Sequence, residues 1–304
     1  MSQPLINKFV VVGIGLIGGS LATGLTQRGA CAEVIGIARK PETCDEAVAR
    51  GVVARAYTSL RDVASELGKG DVIFISVPTL SVTAVLQEIK DFISPDVTIT
   101  DGASVKGSVQ RAAEQVFGVI PPQLVLGHPI AGSEKSGVTA ANPNLYENHR
   151  VILTPFSNTS AQDLALVSAM WQAVGAEVLT MSVEEHDEVL GATSHLPHVI
   201  AYSLVDTLAQ DIHNPNIFRY AAGGFRDFTR IASSDPVMWH DIMRANKVAI
   251  LQSMDLFIDN LSRLRSSIEH EDSDYLLKVF SRAKEARDEF TVMLAQRQVS
   301  TKKE

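Results

Sequence analysis

The sequence predicts an α/β domain followed by an all-helical one, and three observations carry that reading. Up to about residue 182, short apolar runs alternate with amphipathic stretches. A glycine-rich turn separates the first run from the first amphipathic stretch. Beyond residue 182, apolar residues recur at spacings of three and four and the short runs disappear. A length of 304 residues fits two domains of ordinary size, read here as 1–182 and 183–304. With 45% hydrophobic and 20% charged residues, the composition excludes collagen-like, low-complexity and wholly disordered chains.

Residues 8–14 (KFVVVGI) are β-branched, continuous and stopped by glycine, which predicts a strand. Residues 16–28 read as a helix ended by Gly29, 33–37 (EVIGI) as the next strand, and 41–50 as a helix opened by Pro41. Residues 71–77 (DVIFISV) lack polar alternation, the pattern of a strand covered on both faces. Residues 97–100, 124–126 and 151–153 continue the series, and strands alternating with helices predict parallel βαβ units. Helices are expected over 183–208, 238–264 and 275–294, with Pro236 after Ser234 and Asp235 as a helix start. Residues 301–304 read as a frayed tail.

A net charge of −8 argues against a nucleic-acid binder. No apolar run of about 18 residues is present to span a bilayer, and Met1-Ser2-Gln3-Pro4 lacks a basic flank leading into a long apolar stretch. Cys31 and Cys44 make no disulfide scaffold, and no Cys/His cluster has zinc spacing. The expectation is a cytoplasmic protein without metal, membrane or nucleic-acid partner.

Gly13-Ile14-Gly15-Leu16-Ile17-Gly18 lies between the first strand and the first helix, the context that a G-x-G-x-x-G dinucleotide fingerprint requires. Gly13 permits the turn, Gly15 lets a pyrophosphate approach the backbone, and Gly18 lets helix and strand pack closely. The first domain is therefore read as a Rossmann-type dinucleotide-binding domain, with Leu16, Ile17, Val77 and Pro78 also assigned to the cofactor. Sites that prefer NAD carry a carboxylate about 20 residues beyond the fingerprint. Here Ala38-Arg39-Lys40 stands instead, placing two cations to receive a 2′-phosphate, so NADP is favoured over NAD.

The stretch at 127–137 (GHPIAGSEKSG) closely resembles the prephenate dehydrogenase family, which includes arogenate and cyclohexadienyl dehydrogenases. Three further stretches agree in order, at 101–106 (DGASVK), 194–198 (SHLPH) and 223–230 (GGFRDFTR). The resemblance implies a Rossmann-type domain followed by a helical dimerisation domain. It also implies NAD(P)-dependent oxidative decarboxylation of a cyclohexadiene acid in tyrosine biosynthesis. Aromatisation supplies the driving force, so the protein has to orient the ring and remove one hydroxyl proton.

By resemblance, His128 is the proton acceptor. It follows the apolar run 124–126, at the strand end where open α/β sheets place ligands, and an imidazole titrating at about 6.5 can be neutral at working pH. Arg230 matches the residue that holds a substrate carboxylate, for which a guanidinium fork is suited. Too tight a grip on the departing group would stabilise the ground state, so its role is orientation; Arg226 is the neighbouring basic alternative. Ser104 is read as able both to cap the following helix and to contact nicotinamide and substrate. His198 and Ser194 are placed at the substrate side chain, with His195 structural. His186 supplies no convincing third metal ligand to that histidine pair. Glu134 and Asp227 resemble residues at the site entrance. Trp239 is read as core or interface, compatible with approach to a partner subunit's site.

Elongated apolar helices and the family pattern together imply a two-fold homodimer. The segment 133–136 looks more like prephenate or dual-substrate members, and a tyrosine inhibitor would act at the active site. Some relatives carry a chorismate mutase or a regulatory domain, for which these 304 residues leave no room. Two alternatives compete with this reading. A β-hydroxyacid dehydrogenase would need a helical-domain lysine, but Lys247 lies in no fitting motif. An NADP-sensing regulator without chemistry is disfavoured by the joint presence of His128, Ser104 and Arg230.

Overall fold

A run of β-branched residues in the first strand sends alternate side chains to opposite faces, and two cores grow from it. In β1 (Ile6–Val12), Phe9 and Val11 enter one cluster with Leu21, Leu25, Phe74 and Trp171, while Val10 and Val12 enter another with Ile35, Ile73, Leu86 and Val109. The computed structural model describes residues 3–132, 135–211 and 216–300, with side chains up to residue 296. Glu134 and the tail at 301–304 lie outside the described residues.

The sheet contains β1, β2 (Cys31–Ile37), β3 (Arg55–Tyr57), β4 (Val72–Ile75), β5 (Thr98–Asp101), β6 (Leu124–Ile130), β7 (Arg150–Thr154) and β8 (Glu177–Thr180). Their order is β3-β2-β1-β4-β5-β6-β7-β8. The first six follow the doubly wound dinucleotide order, whose direction reverses between β1 and β4. Helices α1 (Leu16–Gln27), α2 (Pro41–Ala49), α3 (Val82–Phe92), α4 (Lys106–Phe117) and α5 (Ala161–Ala173) accompany it.

Two expectations are corrected. The sheet is not wholly parallel, because β7 runs antiparallel to β6, from Leu126 opposite Thr154 to Ile130 opposite Arg150. For the same reason His128 does not follow a strand ending at residue 126. Leu124 and Val125 pair with β5, then β7 takes over the ladder and carries it through His128, opposite Ile152. The edge strands β3 and β8 carry no apolar run in the sequence; they are short and partly polar, as edges tend to be.

Beyond the sheet come α6 (Val183–Leu190), a π-helical turn at Gly191–His195, α7 (Leu196–Ala209), α8 (Gly223–Thr229) and α9 (Pro236–Ala245). Asp235 caps α9 by accepting from the amides of Val237 at 2.8 Å and Met238 at 3.0 Å, beside the Pro236 start. The π turn interrupts the α-helical pattern within the expected 183–208 span, a feature common at functional sites. The chain forms two compact units, Met1–Ala249 and Ile250–Glu304. The second holds most of α10 (Lys247–Glu269) and all of α11 (Ser273–Ser300), on which Leu256, Leu261, Leu277 and Phe280 are exposed in the single chain. Among the described residues no helix is long and apolar enough to cross a membrane.

Candidate active site

The turn after β1 is built for close approach. Gly13 adopts φ +97°, and a Cβ there would lie 2.3 Å from the Ser76 carbonyl oxygen. A Cβ on Gly18 would lie 2.3 Å from the Gly13 oxygen and 2.6 Å from Val11 Cγ2. Gly15 is different, because a Cβ there meets nothing within 4 Å. None of the described residues requires glycine at that point. Gly15 lines a cavity of about 470 Å³ with Leu16, Ile17, Val77 and Pro78. It is also the N-cap of α1 and offers no side-chain bond to the helix amides. Open backbone facing a cavity at a helix N-terminus fits the pyrophosphate of a dinucleotide. Arg39 and Lys40, both exposed, stand outside this cavity between β2 and α2.

The same cavity reaches His128, which is buried in β6. Its Nδ1 lies 2.9 Å from Nε2 of His186 in α6. His186 Nδ1 lies 2.8 Å from Asp187 Oδ1. Asp187 in turn accepts from the amides of Lys106 and Gly107, each at 2.9 Å. It thereby caps α4, whose N-cap residue Val105 makes no side-chain bond. Ser104 lines the cavity and is not that cap. Burial holds His128 well below its ordinary 6.5, reinforced by the neighbouring His186, Lys106 and His195. Burial likewise lowers His186, against the pull of its bond to Asp187. For Asp187, burial alone would raise the carboxyl; the bonds from His186 and the two amides outweigh it, and the net direction is down.

Lys106 is fully buried, with Nζ bonded to the Asp101 carboxylate and, at 2.5 Å, to the Gly127 carbonyl. Asp101 also accepts from the Gly127 amide at 3.1 Å. This pair fixes both polar groups of the residue preceding His128.

The helical wall brings Ser194, His195 and Trp239 to the cavity. His195, expected to be structural, is buried on the cavity wall, its pKa lowered by burial to about 4. Its Nδ1 lies 3.1 Å from Asn246 Nδ2, which also donates to the Asp187 carbonyl at 2.8 Å. His198 does not line the cavity; it stacks on Trp239 with centroids 3.5 Å apart and bonds the Ser194 carbonyl at 2.9 Å. The Trp239 indole nitrogen is buried without a partner among the described residues.

Arg230 is exposed and outside the cavity lining, near enough to His198 to lower that imidazole further, after burial. Asp227 is exposed and paired with Arg226 at 2.9 Å. Lys247 is exposed and lines no part of the cavity. Sequence reasoning missed the roles of His186, Asp187, Lys106 and Asn246. Lys106 stood in the 101–106 stretch, but its burial against Asp101 depends on the fold.

A dinucleotide turn and a buried neutral histidine sharing one cavity define a nicotinamide-dependent dehydrogenase with a helical C-terminal part. The family model for the prephenate dehydrogenase nucleotide-binding domain matches residues 21–180, and that for the prephenate dehydrogenase dimerization domain matches residues 182–282. The cyclohexadienyl dehydrogenase of Zymomonas mobilis is 36% identical over 93% of this chain and 96% of its own length. The prephenate dehydrogenase of Bacillus subtilis is 38% identical over 93% of this chain and 76% of its own. The crystal structure of the prephenate dehydrogenase of Aquifex aeolicus with hydroxyphenyl propionate and NAD+ superposes with a TM-score of 0.87, at 37% identity, covering 94% of this chain and 98% of that one. The chain belongs to the prephenate dehydrogenase family.

Proposed function

We propose that the protein oxidises and decarboxylates prephenate to 4-hydroxyphenylpyruvate, with arogenate as a second substrate, in tyrosine biosynthesis. The observation that carries this reading is that His128 and the fingerprint turn line one cavity. A bound nicotinamide supplies the two-electron oxidant, taking a hydride from the hydroxyl-bearing ring carbon. His128 accepts the hydroxyl proton at the ring nitrogen not engaged by His186. The bond to the ring carboxylate breaks, carbon dioxide leaves, and its electron pair completes the aromatic ring. The phenolic oxygen then recovers the proton. Gly13, Gly15, Leu16, Ile17, Gly18, Val77 and Pro78 hold the dinucleotide.

Ser104, on the cavity lining, contacts nicotinamide and substrate, Ser194 meets the substrate side chain, and the Trp239 N–H, without a partner among the described residues, is a donor for a substrate oxygen. Arg230, outside the cavity lining of the single chain, is assigned to a substrate carboxylate, His198 behind Trp239 to the substrate's side chain, and Glu134 with Asp227 to the entrance. Arg39 and Lys40 favour NADP through the 2′-phosphate. The boundary between nucleotide-binding and helical parts is placed near residue 182. The exposed apolar residues of α10 and α11 support a homodimer. A cytoplasmic location fits this chemistry, and a tyrosine inhibitor would compete at the active site. Steady-state rates with prephenate and arogenate against NAD and NADP, followed by reduced-cofactor absorbance, test the reading; absence of turnover in all four combinations overturns it.

A further inference from the structure

Each hydrogen-bond donor behind His128 can be assigned from the far end inward. The Asp187 carboxylate takes two amide N–H bonds from the first turn of α4, a setting that holds it as an anion. An anion only accepts, so the His186 nitrogen 2.8 Å away, Nδ1, carries hydrogen. A neutral imidazole has one such hydrogen, which leaves His186 Nε2 bare. His128 Nδ1, 2.9 Å from that bare nitrogen, must therefore be the donor. The lone pair of His128 is then on Nε2.

We propose that His186 and Asp187 are positioning residues for His128: they fix its tautomer so that the Nε2 lone pair faces the cavity, and they hold the imidazolium formed when the hydroxyl proton arrives. The inference rests on His128 being the proton acceptor. In that step the substrate O–H bond breaks and His128 Nε2–H forms, while His128 Nδ1–H stays bonded to His186. Lys106 from α4 and His195 from the π turn both disfavour positive charge on His128. Lys106 is paired with Asp101, and Asp187 is the anion at the end of the His128–His186 chain. Capping α4 requires only the carboxylate of Asp187. The fully buried His186, with both ring nitrogens engaged, is explained by the link to His128.

Two measurements test the proposal. Long-range proton–nitrogen NMR on protein labelled in histidine nitrogen, at pH 7.5, reads the tautomer without any substitution. A His128 ring protonated at Nδ1 alone is expected; protonation at Nε2, or at both nitrogens, overturns the assignment. Kinetically, His186→Leu is expected to lower kcat by about 100-fold with KM within about threefold, since an undirected base forfeits much of the 10²–10⁴ available to it. His186→Gln, whose amide oxygen can accept from His128 Nδ1, is expected to recover about tenfold of that loss. A His186→Leu protein with wild-type kcat, or no recovery by glutamine, overturns it. Should His186→Leu not fold, the wild-type tautomer decides. Loss of turnover in His128→Asn with full activity in His186→Leu refutes the relay and leaves the proposed function standing.

Discussion

His128 and His186 meet nitrogen to nitrogen at 2.9 Å, their ring planes inclined at 64°, although 58 residues separate them in sequence. One ring comes from a strand and the other from the first helix after the sheet. Both are buried, and both are held below the ordinary imidazole range by that burial.

Stability should therefore fall in mild acid. His128, His186 and His195 have folded-state values below the unfolded value of about 6.5. Below that pH the unfolded chain binds protons that the folded chain refuses, so stability is complete above about 6.5 and is lost as pH falls toward the folded values. Each such histidine contributes a slope approaching about 1.4 kcal/mol per pH unit. Urea midpoints at pH 7.5, 6 and 5 should drop progressively; a flat profile would show that these rings are not held neutral.

Removing the buried cation should be costly. Lys106→Met leaves the Asp101 carboxylate without its counter-charge in a fully buried site. A loss of about 3–5 kcal/mol in unfolding free energy is expected. A loss below about 1 kcal/mol would mean that Asp101 finds solvent or another partner.

Two glycines of the fingerprint should separate by role. Gly18→Ala drives a methyl into the Gly13 carbonyl and Val11, so it should destabilise by about 1–3 kcal/mol. Gly15→Ala meets no atom of the described residues and should leave Tm nearly unchanged, while raising the dinucleotide KM about tenfold. Equal effects on stability would contradict the assignment of Gly15 to the ligand.

Cofactor choice is testable at the end of β2. Arg39→Asp removes a charged donor for a 2′-phosphate, worth about 1.5–3 kcal/mol. The NADP/NAD ratio of kcat/KM should fall by about 10- to 100-fold, and an unchanged ratio would assign Arg39 to solvent alone.

The α/β-then-helical order, the fingerprint turn and the Pro41 and Pro236 helix starts were legible because each is a local pattern. The antiparallel β7 and the true end of β6 were not. The apolar run stops at residue 126, whereas the strand continues because β7 pairs with it. The cavity gathers His128, Ser104, Ser194 and Trp239 with Gly15, Leu16 and Ile17 of the fingerprint. His186 is visible in the sequence only as a rejected third metal ligand, and its link to His128 through a His-Asp dipeptide carries no signal until the fold brings β6 and the start of α4 against it. Arg230, drawn from the 223–230 stretch, stands at the surface outside the cavity lining, beside His198.

The most direct test is prephenate turnover by His128→Asn beside the wild type. A fall in kcat of about 10³-fold with substrate KM changed less than about threefold is expected for loss of the proton acceptor. Turnover near the wild-type rate would mean that the hydroxyl proton leaves by another route.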